Sequence, residues 1–312
     1  MEQGLSIMES GVVEVDRNDF DKTATAERVT RGIDLAGMTV VVTGCNSGIG
    51  YETMRVLALR GAHVIGTART MEKGKTACDS IAGEMTPIVL ELSDFHSVVA
   101  CADEIQAMNR PVDVLICNAG VFLSDLQQTK GLERHFVVNH LGHFILVNRL
   151  MSRVKAASQG RVVIVSSEAH RSASRGIEFD NFSGEHDFKA MRAYGHSKLA
   201  NGLFSRELAR RLRGSAAISN CLHPGVVDTN IVQYHSSWRQ GAFHLLGRWF
   251  LKSIKEGAAT TCYVATNPAV TGVSGLYFNN CSSEMPSEHM LDDELANRLW
   301  EVSESLTLDF LV

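Results

Sequence analysis

Tyr194 and Lys198 stand four residues apart, the spacing that puts two side chains on one face of a helix. A free phenol titrates near ~10, too high for a good acid or base at neutral pH. A lysine ammonium beside it favours the phenolate and is expected to lower that value. Such a pair can hand a proton to, or take one from, a reacting oxygen, worth roughly 10²–10⁴-fold in rate. Chance Tyr-x-x-x-Lys matches are common, so the pair needs a setting that agrees with it.

A second chemical feature lies far upstream. Thr43-Gly44-Cys45-Asn46-Ser47-Gly48-Ile49-Gly50 follows an apolar run and opens an amphipathic stretch. Backbone N–H groups at a helix start hold a pyrophosphate, and glycines let it approach the backbone. Gly44, Asn46, Ser47, Gly48, Ile49 and Gly50 are therefore the expected seat of a dinucleotide. A lone glycine turn is also a common strand-to-helix junction, so its place after the first strand carries the weight.

Both features need elements that bring them together. From residue 38 onward, short β-branched runs alternate with longer amphipathic ones. Strands are expected at 38–43, 62–67, 86–91, 112–117, 160–166, 217–222 and 273–278. Helices are expected at 49–60, after the second strand to 82, and at 95–109, 132–156 and 191–212. Strands apolar on both faces that alternate with helices predict a parallel sheet covered on both sides. The fold class is then α/β: a single-domain, doubly wound Rossmann sheet of about seven strands with helices on both faces. Residues 1–36 read as an N-terminal extension and 37–312 as the domain. The polar stretch 168–189 and the segment 226–255 stand outside the alternation.

The form Thr-Gly-x-x-x-Gly-Ile-Gly resembles the short-chain dehydrogenase/reductases, and five further strings agree in order. They are Asn118-Ala119-Gly120, Asn139 in a long helix, Ser166-Ser167, and Tyr194-Gly195-His196-Ser197-Lys198, followed by Pro224-Gly225. The resemblance implies that Tyr194 is the general acid/base and that Ser167 hydrogen-bonds the substrate oxygen. It implies that Lys198 holds the nicotinamide ribose and that Asn139 positions a water. Ser167 is preferred to Ser166 as the second of the pair, although it lies roughly twice as far ahead of Tyr194 as is commonest in the family. On the same basis Glu91 and Leu92 meet the adenine, with Glu91 where an Asp is usual. Asn118, Ala119 and Gly120 line the cofactor, and Pro224, Gly225, Val227 and Thr229 touch the nicotinamide end.

Arg69, after the second strand, has no acid adjacent. A carboxylate there would repel a 2′-phosphate, whereas an arginine accepts it. NADP(H) is expected ahead of NAD(H). The strings 139–144, 196–201, 207–212 and 275–281 resemble the branch that holds the retinol dehydrogenases and the WW-domain-containing oxidoreductases. Trp238, Phe243, Trp249 and Phe250 lie where the family places a mobile segment over the substrate. They read equally as the wall of a pocket for a bulky hydrophobic alcohol or carbonyl, or as packing. Aromatic ketones, steroids, retinoid-like aldehydes and lignin-type alcohols all stay open. Family members often dimerise through the two long helices, which makes a homodimer an expectation.

Composition excludes several classes. The net charge is −5, and Arg206, Arg210, Arg211 and Arg213 read as a solvated helix face rather than a nucleic-acid surface. The seven cysteines have no CxxC spacing, so neither a disulfide framework nor a zinc site is indicated. His140 and His143 share a helical turn without a spaced third ligand, and no metal is expected. The acidic first thirty residues and the lack of a long apolar run predict a cytoplasmic protein without a membrane span. The competing class is a catalytically silent dinucleotide-binding regulatory protein. Loss of Asn139, Ser167, Tyr194 or Lys198 would favour it, and all four are present.

Overall fold

The computed structural model describes residues 20–227 and 251–311. After α1 (Ala26–Val29) come β1 (Thr39–Thr43), α2 (Gly48–Leu59), β2 (His63–Ala68), α3 (Met71–Asp79), β3 (Met85–Val89), α4 (Phe95–Ala107) and β4 (Val114–Cys117). A short hairpin, β5 (Gln128–Thr129) and β6 (Leu132–Glu133), leads through a π-helical turn (Phe136–Leu141) into α5 (Gly142–Lys155). Then follow β7 (Arg161–Val165), a 3-10 turn (Glu168–Ser172), α6 (Ala190–Arg211), β8 (Ile218–His223) and α7 (Ile254–Thr266). The chain ends in β9 (Tyr277–Asn279), β10 (Ser282–Ser283), α8 (Glu288–Leu291) and α9 (Asp293–Thr307).

Eight strands form one sheet in the order β10-β9-β8-β7-β4-β1-β2-β3, parallel except at the β9–β10 edge. The alternation of strands and helices dictates this, because each parallel step needs a crossover helix. Strand order reverses between β1 and β4, which opens a crevice at their carboxyl ends. Side chains alternate by face: Val41, Leu115, Cys117, Val162 and Ile164 pack under α4, α5, α6 and α9. Val40, Val42, Val114, Ile116, Val163 and Val165 pack under α1, α2, α3 and α7. At Gly66 the helix layer comes so close that a Cβ would lie 2.6 Å from the sulfur of Met54.

The helix expected over 132–156 starts later than its pattern suggests. Lys130 and Gly131 take φ of 54° and 75° and close the β5–β6 hairpin instead. Glu133 then caps the helix entry, its carboxylate accepting the N–H of His135 at 2.9 Å and of Phe136 at 3.1 Å. Hairpin and helix share one apolar pattern here, so periodicity could not separate them.

α9 lies across α5 and α6. Trp300 sits between Phe144 of α5 and Phe204 of α6, at centroid distances of 4.9 and 5.6 Å, while His140 and Ser303 are joined at 2.8 Å. The arginine cluster at the end of α6 serves this packing rather than solvent alone. Arg206 pairs with Asp293 at 2.6 Å, Arg211 stacks on Trp300 at 4.3 Å, and both Arg210 and Arg211 hold the buried Glu207. All seven cysteines are free and buried. Of the N-terminal stretch, Phe20 packs on Tyr263 of α7, and Ala24, Ala26, Val29 and Leu35 enter the core.

Candidate active site

The β1–β4 crevice gathers most of the residues singled out in the sequence. Gly44 follows β1 with φ of 71°, and Gly48 starts α2 with φ of 60°, both in the left-handed region that suits glycine. At Gly50 a Cβ would come 2.2 Å from the Gly44 carbonyl oxygen, so the turn closes only with glycine there. Asn46 and Ser47 are exposed, Ile49 is half-buried, and Ser47 makes no side-chain cap on α2. The first turn of α2 also carries no acid. Its leading N–H groups thus face outward from an end that favours an anion.

Asn118 braces this turn from the end of β4. Its side-chain amide donates to the Thr43 carbonyl at 2.8 Å, and the backbone N–H groups of Asn118 and Ala119 donate to Thr43 Oγ1 at 2.9 and 3.0 Å. A Cβ on Gly120 would lie 3.2 Å from Asn139 Oδ1 and 3.4 Å from Lys198 Nζ. Gly120 therefore lets the β4 turn come close to those two polar groups, where a side chain would crowd them. The uncapped helix start and the braced turn together fit a dinucleotide.

Tyr194 and Lys198 project from one face of α6 as their spacing requires, with Nζ 5.6 Å from the phenol ring centroid. The Ser167 side chain lies beside the Tyr194 phenol, close enough to pull its value down. Lys198 Nζ donates to the Val165 carbonyl at 3.1 Å, at the end of β7. The two serines divide their work: Ser166 Oγ donates to the Lys198 carbonyl at 2.7 Å and is buried, whereas Ser167 faces Tyr194. Ser167 also accepts the N–H of Ala169, which pins the turn that follows.

Burial governs the acid–base balance. It pushes the Tyr194 phenol up to about 12, with the Ser167 hydrogen bond pulling the other way. It pushes the Lys198 ammonium down to about 8. The expected lowering of the phenol by Lys198 is therefore not what the site shows. Desolvation of both groups outweighs their attraction, and the ammonium spends its hydrogen bond on Val165.

Asn139 sits on the π-helical turn, fully buried. Its side-chain oxygen accepts the Val121 N–H at 2.8 Å, and its amide donates to the Val121 carbonyl at 3.1 Å and to Ser197 Oγ at 2.9 Å. Ser197, which no spacing argument singled out, donates in turn to the Tyr194 carbonyl at 2.7 Å. Glu133 and His135 form another pair that the sequence did not announce. His135 Nδ1 lies 2.6 Å from Glu133, its Nε2 accepts the Leu123 N–H at 2.7 Å, and its ring centroid is 6.0 Å from that of Tyr194.

The remaining expected residues lie around the crevice rim. Arg69 is exposed immediately after β2. Glu91 Oε1 accepts the Ser93 N–H and hydroxyl at 3.0 and 2.7 Å, leaving its other oxygen for a ligand. Leu92 is buried in the core. Pro224 is buried after β8, Gly225 takes φ of 98°, and Val227 pairs with Lys252 in an isolated bridge. Thr229 and the aromatic run 234–250 lie outside the described residues. His140 and His143 turn to separate partners, Ser303 and Thr43. Among the described residues no group of three or more His, Cys, Asp or Glu is placed to hold a metal. No helix among them is long and apolar enough to cross a membrane.

Comparison with known proteins agrees with this geometry. The family model for short chain dehydrogenases matches residues 38–240. The human WW domain-containing oxidoreductase is 43% identical over 303 residues, covering 93% of this chain and 73% of its own. Human retinol dehydrogenase 11 is 40% identical over 280 residues, covering 88% and 87%. The chloroplastic short-chain dehydrogenase TIC 32 B of Brassica napus is 38% identical over 302 residues, covering 92% and 94%. A solved protein of Mycobacterium paratuberculosis superposes with a TM-score of 0.72 at 32% identity, covering 89% of this chain and 96% of its own. A solved protein of Beutenbergia cavernae, described as an NAD(P)-dependent gluconate 5-dehydrogenase with NADP bound at low occupancy, reaches 0.64 at 26%, covering 79% and 96%. The chain belongs to the short-chain dehydrogenase/reductase family, in the branch of the retinol dehydrogenases and WW domain-containing oxidoreductases.

Proposed function

We propose that this protein is an NADP(H)-dependent oxidoreductase that interconverts an alcohol and a ketone or aldehyde, with Tyr194 as the general acid/base. The observation that carries the reading is that Tyr194 and Lys198 share one face of α6, with Nζ 5.6 Å from the phenol ring centroid and Ser167, just past the end of β7, beside the phenol. The nicotinamide cofactor supplies or accepts the hydride. In the reducing direction Ser167 and Tyr194 hold the carbonyl oxygen, and the phenol gives its proton to that oxygen as charge develops there. Lys198, still mostly protonated at pH 7 with its value near 8, offsets the phenolate that is left. Asn139 keeps Val121 and Ser197 in place around this pair. A phenol held near 12 keeps its proton until the substrate oxygen demands it, which suits an acid in the reducing direction.

In this reading Gly44 to Gly50 seat the pyrophosphate, Asn118 to Gly120 floor the cleft, Glu91 faces the adenine, and Pro224 to Thr229 lie at the nicotinamide. The domain spans 37–312 with 226–255 as the substrate segment, and the substrate is a bulky hydrophobic alcohol or carbonyl. NADPH oxidation followed at 340 nm against bulky and small ketones and aldehydes tests the whole. Turnover confined to small carbonyls would remove the bulky-substrate reading.

Arg69 supports NADP(H) because it is exposed immediately after β2, where an arginine accepts a 2′-phosphate and a carboxylate would repel it. A hydrogen bond between charged groups is worth ~1.5–3 kcal/mol, or about 10–100-fold. Arg69→Asp should therefore shift the NADPH-to-NADH ratio of kcat/KM towards NADH by at least that factor. An unchanged ratio would show that the preference is set elsewhere.

The helix pair that would carry a dimer in the family is covered here by α9. This supports a monomer rather than a homodimer through that pair. Sedimentation equilibrium should give one 34.1 kDa species at micromolar concentration; a stable dimer would require another surface.

A further inference from the structure

Resting on that functional reading, we propose that His143 is a positioning residue, one that ties the cofactor-holding turns to Asn139. Its imidazole is buried on α5 between two partners that belong to different parts of the site. Nδ1 lies 3.0 Å from the Asn139 carbonyl oxygen, and Nε2 lies 2.9 Å from Thr43 Oγ1.

The proton count leaves one arrangement. A carbonyl oxygen only accepts, so Nδ1 carries the hydrogen and donates to Asn139. Nε2 of the neutral ring is then an acceptor, and the Thr43 hydroxyl donates to it. That leaves the Thr43 oxygen free to accept the N–H groups of Asn118 and Ala119, which it does at 2.9 and 3.0 Å. Burial supports the neutral ring, pushing His143 down to about 4.

The result is one hydrogen-bonded chain from the Asn118–Ala119 turn through Thr43 and His143 to the backbone of Asn139. The same Thr43 carbonyl receives the Asn118 side chain, so the imidazole also anchors the glycine turn. Asn139 in turn holds Ser197, which bonds the carbonyl of Tyr194. β1 and β4 are also paired in the sheet, and Asn139 and His143 lie on one helical run, so what the imidazole adds is the tie between that run and Thr43. Without the imidazole, the Thr43 hydroxyl turns to a poorer acceptor, the Ile116 carbonyl at 3.4 Å. The amides it holds then slacken.

Two variants separate the halves of the bridge. His143→Asn can keep the bond to Asn139, because Asn148 makes the same side-chain bond to the Phe144 carbonyl one turn further along α5, at 2.8 Å. It is too short to reach Thr43. His143→Phe keeps the ring and loses both bonds. NADPH affinity, measured by titration calorimetry, should fall about tenfold in both variants, the scale of one buried hydrogen bond lost. At saturating NADPH, kcat should fall about tenfold further in His143→Phe than in His143→Asn. Thermal midpoints recorded alongside show whether each variant is folded.

A merely structural histidine would give losses that follow the thermal midpoint and no split between affinity and kcat. Wild-type affinity in His143→Asn would overturn the Thr43 half of the proposal, and equal kcat in the two variants the Asn139 half. If the wild-type protein binds NADPH but turns over no carbonyl, the functional reading fails while the affinity measurements still judge His143.

Discussion

Replacing Tyr194 by Phe should lower kcat by roughly 10²–10⁴-fold while leaving NADPH affinity within about twofold. The substitution removes one oxygen and leaves the ring. That ring packs against Phe122 and His135 at centroid distances of 5.4 and 6.0 Å, contacts that phenylalanine also makes. Lys198 is held by the Val165 carbonyl and not by the phenol oxygen, so its position should persist. Ser167 keeps the Ala169 N–H. The loss should therefore sit in the proton transfer. Calorimetric NADPH binding and steady-state turnover on the same preparation check it. Residual activity within tenfold of wild type would mean that another group supplies the proton.

The second large effect concerns acid. Burial, first among the causes in each case, pushes His140 down to about 3 and His143, His196 and His223 down to about 4. Each ring is hidden or half-hidden and held neutral in the fold, whereas in the unfolded chain it titrates near ~6.5. The unfolded state thus binds more protons below that value. The stability these neutral rings contribute is complete above pH ~6.5 and is lost as pH falls towards 4.

At pH ~5.5 the four together take up about three to four protons on unfolding, a slope of roughly 4–5 kcal/mol per pH unit. Two such units remove about 8–10 kcal/mol, most or all of the ~5–15 kcal/mol by which folds of this kind are stable. The thermal midpoint should drop steeply from pH 6.5, with unfolding complete near pH ~4.5. Denaturant titrations at pH 7, 6, 5.5 and 5 give the slope. Uptake of fewer than one proton would show that these rings are charged in the native protein. The Nδ1 atoms of His140 and His223, both buried, have no hydrogen-bond partner among the described residues to share a charge with.

How much of this could be read in the residues themselves follows from what is local. Tyr194 and Lys198 share a helix face because α-helical geometry fixes four-residue neighbours, and the glycine turn announces itself through Gly44, Gly48 and Gly50. The parallel sheet shows in runs such as Val40-Val41-Val42, apolar on both sides. What escaped depends on distant partners. The direction of the Tyr194 shift is decided by burial, which no spacing of Tyr and Lys encodes. Thr43 and His143 meet across a hundred residues of chain, so the bridge exists only once β1 and α5 pack. The arginines at the end of α6 look solvated until Asp293 and Trp300 of α9 fold over them. The β5–β6 hairpin hid inside a helical pattern, because Lys130 gives no sign that it takes a positive φ.

The central claim, that this site moves a hydride to or from the nicotinamide with Tyr194 completing the proton transfer, has one close test. NADPH carrying deuterium at the transferable C4 position is incubated with a bulky aromatic or polyene aldehyde, and the product alcohol is weighed by mass spectrometry. Product one mass unit heavier from the wild-type protein, and none above background from Tyr194→Phe, is the predicted result. Tight NADPH binding with no deuterium reaching any carbonyl of a broad panel, or equal transfer by the variant, would contradict it.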